Sequence, residues 1–277
     1  MNQTTTLLMA SVFASIFFGG FGEIEAARCK TTGLLLKTTS CTFQSTKIEA
    51  RGIITRDVRY QVPEGTPPQG GWPVVIMYQG SFFPVEFSRN QLAPFGGYYE
   101  VKVIEKFLNN GFAVIAPDAG VDLFWETNLP GGLLAYELTN DYNYLNNLFA
   151  AIRNGKFGPI NSNKKFATGI SSGGYNTGRM AVSFPGEFRA LAVQSGSYAT
   201  CSGPICSVPS DLPANHPPTY FVHGFLDLVV PWWSMDIYYD KLRSKGIPTD
   251  RFTDYTAKHE WVSASADRIY SWFNQYR

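Results

Sequence analysis

Charge is scarce in this chain. Only 16% of its 277 residues are Asp, Glu, Lys or Arg, against roughly a quarter in an average soluble domain. The 23 basic residues nearly cancel the 22 acidic ones. With no basic excess to neutralise a phosphate backbone, nucleic-acid binding is a poor expectation. Histidine is scarcer still, with three in the whole chain. The four cysteines form no CxxC pair and have no histidine at ligand spacing, which argues against zinc and leaves no metal or organic cofactor expected. No stretch reaches the roughly 18 apolar residues of a membrane helix, so integral membrane association is not expected. Internal repeats, low-complexity tracts and interdomain linkers are also missing. What remains is apolar and rich in rings: 44% hydrophobic and 15% aromatic residues. Such a chain can bury a large core, and about 250 folded residues suit one domain.

The N-terminus reads as an address. Leu7 to Phe21 is apolar and uncharged, too short to span a bilayer comfortably, and small residues follow it. That pattern fits the apolar region of a secretory signal over about residues 1–27, cut between Phe21 and Arg28, although MNQTTT lacks the usual Lys or Arg. A buried element of the mature fold is the alternative. Arg28 directly before Cys29 argues against a lipid-anchoring cysteine. Residues 28–277 are then expected to form a single domain, with no linker to a second one. The cysteines support export: Cys29 and Cys41 lie twelve apart, Cys201 and Cys206 five apart, as two local disulfides in an oxidising compartment would require.

Periodicity gives the layout. Continuous apolar runs at Pro73–Tyr78 and Phe112–Ala116 read as strands covered on both faces. Further strands are expected at Lys165–Gly169, Arg189–Val193, Thr219–His223 and Asp250–Tyr255, and short alternating ones between 48 and 62. Helical spacing appears over Tyr98–Asn110, Asn140–Asn154, Gly174–Phe184, Ser234–Lys245 and Ser263–Tyr276. Alternation of the two predicts an α/β fold with a mostly parallel sheet and helices on both faces. Ligands in such sheets bind at the carboxyl ends of the strands.

One such end carries Gly169-Ile170-Ser171-Ser172-Gly173-Gly174 between a strand and a helix. This is G-x-S-x-G in its required context, a turn so sharp that side chains two before and two after the nucleophile would clash. With Ser171 as nucleophile both flanks are glycine. With Ser172, Ile170 would crowd the turn, so Ser171 is preferred. The Ser172 N–H then lies where an oxyanion donor belongs, and Ser81, after Gly80 in the loop following Pro73–Tyr78, is the candidate for the second. A serine hydroxyl needs a base. His216 precedes two prolines and reads as a surface residue. His223 ends a strand and reads as structural. His259, in the last loop, sits where this architecture puts its base. Asp227, just past the strand ending at His223, is the expected acid; Asp254 lies inside a strand, and Glu260 adjoins the histidine and would point elsewhere.

At GISSGG, HGFLDLVVP and the late His259, the sequence resembles the extracellular medium-chain-length poly(3-hydroxyalkanoate) depolymerases, over essentially the whole mature chain. The resemblance implies an α/β-hydrolase fold, a secreted esterase acting on a water-insoluble polyester, and Ser171, Asp227 and His259 as nucleophile, acid and base. One departure is Gln79-Gly80, where many α/β-hydrolases carry His-Gly. Phe82-Phe83, Phe124-Trp125 and Trp232-Trp233 fall in expected loops at strand ends. Phe82, Phe83, Trp125, Trp232 and Trp233 are therefore candidates for the polymer-facing surface, with core packing the alternative. Rival functions are an esterase for feruloyl or cutin-like esters, a serine peptidase, and a non-catalytic binding protein on the same fold.

Overall fold

Alternation along the apolar strands decides where each helix packs. The structure is a computed structural model that describes residues 27–120, 123–202 and 205–277. The expected signal segment therefore lies, but for Ala27, outside the described residues. The strands are β1 (Cys29–Thr32), β2 (Thr38–Cys41), β3 (Gln44–Arg51), β4 (Ile54–Gln61), β5 (Trp72–Tyr78), β6 (Ser88–Asn90) and β7 (Ala113–Pro117). They continue as β8 (Ile160–Ile170), β9 (Ala190–Gln194), β10 (Cys201–Ser202), β11 (Ile205–Cys206), β12 (Thr219–Gly224) and β13 (Thr249–Asp254). The helices are α1 (Gly97–Asn109), α2 (Pro130–Ala135), α3 (Asn140–Arg153), α4 (Ser172–Ser183), α5 (Trp232–Ser244) and α6 (Ser265–Gln275).

Eight strands form the central sheet in the order β13-β12-β9-β8-β5-β7-β4-β3. From β13 through β7 every neighbour pair is parallel, and the β3–β4 hairpin is added antiparallel at one edge. Strands β5, β7, β9 and β12 are buried at every position, as parallel strands roofed on both sides must be. Successive side chains point to opposite faces. Val75 and Met77 join Val101, Ile104 and Phe107 of α1 and Ile269 and Phe273 of α6. Val74 and Ile76 join Tyr144, Leu148 and Ile152 of α3 and Met180 of α4. Val193 and Phe221 meet Tyr238 and Leu242 of α5. Helices thus cover both faces, as the alternation predicts.

Two disulfides brace the periphery. Cys29–Cys41 ties β1 to β2, which pairs on to β6 in a small separate sheet, and Cys201–Cys206 closes the β10–β11 hairpin. A buried ion pair holds the segment beside the expected elbow: Arg56 Nη1 on β4 lies 2.6 Å from Asp141 Oδ1 at the start of α3. Burial raises the Asp141 pKa, and the Arg56 guanidinium opposes that shift. Asp141 Oδ2 also accepts the Glu126 N–H, so the 123–139 crossing is fixed to the sheet edge. Among the described residues no helix is long and apolar enough to cross a membrane.

Candidate active site

Ser171 occupies the bend between β8 and α4 at φ 57°, ψ −122°, a conformation that costs a non-glycine residue energy and persists only where the surroundings enforce it. They do so here. The Ser171 N–H donates to the Gln194 carbonyl at 3.2 Å, and the Ser171 carbonyl accepts from Tyr175 N–H at 2.9 Å. A Cβ placed on Gly169 would meet Tyr78 O at 2.5 Å, and one on Gly173 would meet the same oxygen at 2.2 Å. Only glycine at both positions lets β8 and α4 approach β5 this closely, which is the physical content of the G-x-S-x-G spacing.

Behind the imidazole of His259 stands Asp227. Its Oδ2 lies 2.7 Å from His259 Nδ1. A carboxylate can only accept, so Nδ1 carries the proton and Nε2 is left as the acceptor. Asp227 Oδ1 accepts the N–H groups of Val229 and Val230 at 2.9 and 2.8 Å, a local turn that aims the carboxyl. Burial alone would raise the Asp227 pKa, but hydrogen bonds from His223 and His259 outweigh it and hold the group well below the usual carboxylate range. His223, read as structural, is fully buried beside the site. Its Nε2 lies 2.9 Å from Val230 O and 3.3 Å from Asp227 Oδ2. Both partners accept, so that nitrogen is the protonated one.

Ser171 and His259 line the same cavity, of about 320 Å³. Its walls are largely apolar: Phe82, Phe83, Pro84, Pro94, Phe95, Ile170, Val229 and Trp261. The loop after β5 lies against the elbow, where a Cβ on Gly80 would sit 3.8 Å from that of Ser171. Ser81 lines the cavity, and Phe82, at φ 67°, directs its N–H to Leu123 O at 2.6 Å. The Phe82 amide is thus engaged, while Ser81 stands on the cavity wall beside the turn. The Ser172 N–H opens α4, where the helix N-terminus favours negative charge.

Three expectations need correction. Trp125 is not on the surface. It is 1% exposed, its indole N–H donates to Gln79 O at 3.1 Å, and its backbone N–H donates to Ser172 Oγ at 2.9 Å. A ring whose polar edge finds a buried carbonyl can be core, and this one props both the β5 loop and the elbow. Trp232 and Trp233 are not in a loop but in the first turn of α5, outside the cavity wall. Trp232 is half-buried, with its indole on Thr253 Oγ1, while Trp233 is exposed. His216 is buried, not a surface residue, because Tyr238 O–H and Pro217 O satisfy both its nitrogens. Burial lowers its pKa to about 4, which keeps it neutral. The cavity also includes Arg89, Phe95, Glu100 and Trp261, which no motif marked.

Gln194 was likewise unmarked. Its backbone carbonyl holds Ser171 N, its Nε2 donates to Glu260 O at 2.8 Å, and its Oε1 accepts from Ser265 Oγ at 2.8 Å. One residue thus ties the elbow to the loop carrying His259. Gln194→Leu is expected to lower kcat about 10- to 100-fold, since a misplacement of about 1 Å costs that much. The melting temperature should also fall, because the buried Ser265 hydroxyl loses its acceptor and Ser195 Oγ and Glu260 O each lose a donor. Steady-state kinetics with a melting curve checks both.

Comparisons with known proteins follow the same lines. No family model matches the chain. Among solved structures, an S-formylglutathione hydrolase from Staphylococcus aureus superposes with a TM-score of 0.58 at 13% identity, over 84% of this chain and 98% of that one. A carboxylesterase from Bacillus cereus gives 0.57 at 10% identity, over 80% and 95%. These likenesses establish the α/β-hydrolase fold. A curated poly(3-hydroxyoctanoate) depolymerase from Pseudomonas fluorescens is 58% identical over 259 residues, covering 92% of this chain and 93% of that protein. At that identity and coverage, this α/β-hydrolase chain belongs to the poly(3-hydroxyoctanoate) depolymerase family.

Proposed function

We propose that this chain is a secreted serine esterase that hydrolyses the ester bonds of water-insoluble, medium-chain-length poly(3-hydroxyalkanoate), with residues 28–277 acting as one catalytic unit after loss of a signal peptide. Ser171 Oγ attacks the ester carbonyl while His259 Nε2 takes its proton. Asp227 holds the imidazole in that tautomer and stabilises the imidazolium. The N–H groups of Ser172 and Ser81 receive the oxyanion. His259 then protonates the departing alkoxide, leaving an acyl-enzyme, and a water molecule deprotonated by the same nitrogen releases the acid.

The observation that carries the reading is the meeting of Ser171 and His259 on one apolar cavity, with the Asp227 carboxylate 2.7 Å behind the imidazole. The polyester in the relative's name is supported here by phenylalanines 82, 83 and 95, exposed along the cavity wall, as contact with a greasy solid requires. Two disulfides support an oxidising destination. Turbidity of a poly(3-hydroxyoctanoate) latex tests the substrate and should fall on addition of the enzyme. Hydrolysis of p-nitrophenyl octanoate without clearing would instead indicate a small-ester esterase. Failure of a fluorophosphonate probe to label the protein would leave only a binding protein.

A further inference from the structure

One buried acid in the cavity has no part in the ester chemistry. Glu100, in the first turn of α1, lines the same cavity as Ser171 and His259 and is only 7% exposed. Its Oε1 accepts the Trp261 indole N–H at 3.1 Å. Arg89, on β6, lines the cavity as well. Apart from these two and the Ser171–His259 pair, the walls are mainly rings, prolines and aliphatic groups. A carboxylate in such surroundings is costly, whereas a neutral acid both donates and accepts hydrogen bonds. Burial pushes the Glu100 pKa up to about 8, with the Glu86 charge adding to the rise, against the Trp261 hydrogen bond, the Arg89 charge and a hydrogen bond from the Glu86 backbone, which pull it down. Held between the Trp261 indole and the Glu86 backbone at the wall of an otherwise greasy cavity, a neutral Glu100 keeps one O–H to donate.

An alkyl side chain needs no such donor. A polyester does present an acceptor, because each repeat carries another ester carbonyl a fixed number of bonds from the scissile one. We propose that Glu100, assisted by Arg89, is a specificity subsite that hydrogen-bonds the carbonyl oxygen of the ester neighbouring the bond being cut, so that the site favours repeating esters over simple alkyl esters. This rests on the esterase reading of the same cavity. A purely structural role, bridging the Trp261 indole and the Glu86 backbone, predicts no pH-dependent preference between substrates, and that difference separates the two. Trp261 is already fixed through its backbone: its N–H donates to Phe95 O at 2.9 Å, and Gly96 packs so closely that a Cβ there would meet Trp261 O at 2.1 Å.

The sign of the pH effect follows from the groups around Glu100. Arg89 and Glu86 face it from the segment ahead of α1, and His259 and Trp261 reach the cavity from the segment ahead of α6. Above about pH 8 Glu100 ionises, stops donating and repels a carbonyl oxygen. The test uses the full chain and compares kcat/KM for a 3-hydroxyoctanoate dimer methyl ester with that for p-nitrophenyl octanoate from neutral to alkaline pH. The dimer-to-simple-ester ratio of the wild type should fall about tenfold as Glu100 ionises, the equivalent of one hydrogen bond. Glu100→Gln, neutral throughout and still an acceptor for Trp261, should show a ratio independent of pH. Glu100→Leu should give a pH-independent ratio about tenfold below that of the wild type at neutral pH, level with the wild type in alkali. A wild-type ratio that ignores pH, or a Glu100→Leu variant in which both substrates lose equally, overturns the subsite. If Glu100→Leu does not fold, the wild-type and Glu100→Gln profiles decide alone. Failure of the wild type to cleave p-nitrophenyl octanoate would sink the esterase reading itself, a result distinct from loss of the ratio.

Discussion

Ser171→Ala should abolish hydrolysis, with kcat on p-nitrophenyl octanoate falling about 10⁴- to 10⁶-fold, the range seen when a nucleophile is removed from a working triad. Clearing of polyester latex and covalent labelling by a fluorophosphonate should vanish with it. The fold should not suffer. Alanine and serine share a Cβ, so the strained φ of 57° costs both alike, and the bonds that hold the elbow, Ser171 N–H to Gln194 O and Tyr175 N–H to Ser171 O, are made by backbone. A melting temperature within a few degrees of wild type is therefore part of the prediction. Ser172→Ala is the control for register. The Ser172 side chain accepts the Trp125 N–H at 2.9 Å and is buried, so its loss costs some stability. Its backbone N–H survives, and activity should fall only about tenfold or less. If the two variants exchanged behaviours, the nucleophile would be Ser172 and the elbow geometry would have been misassigned.

The parts of the molecule that were legible in sequence are those where one local rule decides. Short apolar runs such as Pro73–Tyr78 read as strands roofed on both faces, and β5 is buried throughout. The two glycines around Ser171 announce a clash, and the distances to Tyr78 O show it. What was not legible depends on contacts between distant segments. Trp125 looks the same in sequence whether it rims a site or props one, and only the nearness of Gln79 O and Ser172 Oγ makes it core. His216 looked like a loop residue because nothing before it announces the Tyr238 hydroxyl that satisfies it 22 positions later. The cavity wall is harder still. Arg89, Phe95 and Glu100 reach the site through the approach to α1, a segment with no catalytic motif, and Gln194 joins two catalytic loops from the end of an ordinary buried strand. The small β1–β2–β6 sheet went unread because its strands are only three or four residues long and made mostly of polar residues, too short for an apolar period to register.

Asp227→Asn is the second large effect, and it acts through a proton's position. In the native arrangement Asp227 Oδ2 only accepts, so His259 keeps its proton on Nδ1 and offers Nε2 to the serine. An amide in the same place can turn its NH₂ toward Nδ1, moving the ring proton to Nε2 and leaving Ser171 without a base. Shape is nearly conserved, so KM should change little while kcat falls about 10³- to 10⁴-fold. Fluorophosphonate labelling should slow in parallel, since it draws on the same activated hydroxyl. Stability carries a second signature. The native carboxyl is held well below the ordinary range by His223 and His259 despite its burial. A group with a depressed folded pKa stabilises the fold at all pH values above its unfolded pKa, and that contribution is lost as pH falls through the folded value. Wild-type stability should therefore keep the Asp227 contribution above the normal carboxylate pKa of about 4 and surrender it only in stronger acid. The asparagine variant, unable to ionise, should melt lower at neutral pH, and the gap to wild type should narrow as the solution is acidified. Rates within tenfold of wild type at neutral pH would show that the 2.7 Å contact between Asp227 and His259 does not govern the base, and Asp227 would then be a structural carboxylate that fastens the Val229–Val230 turn.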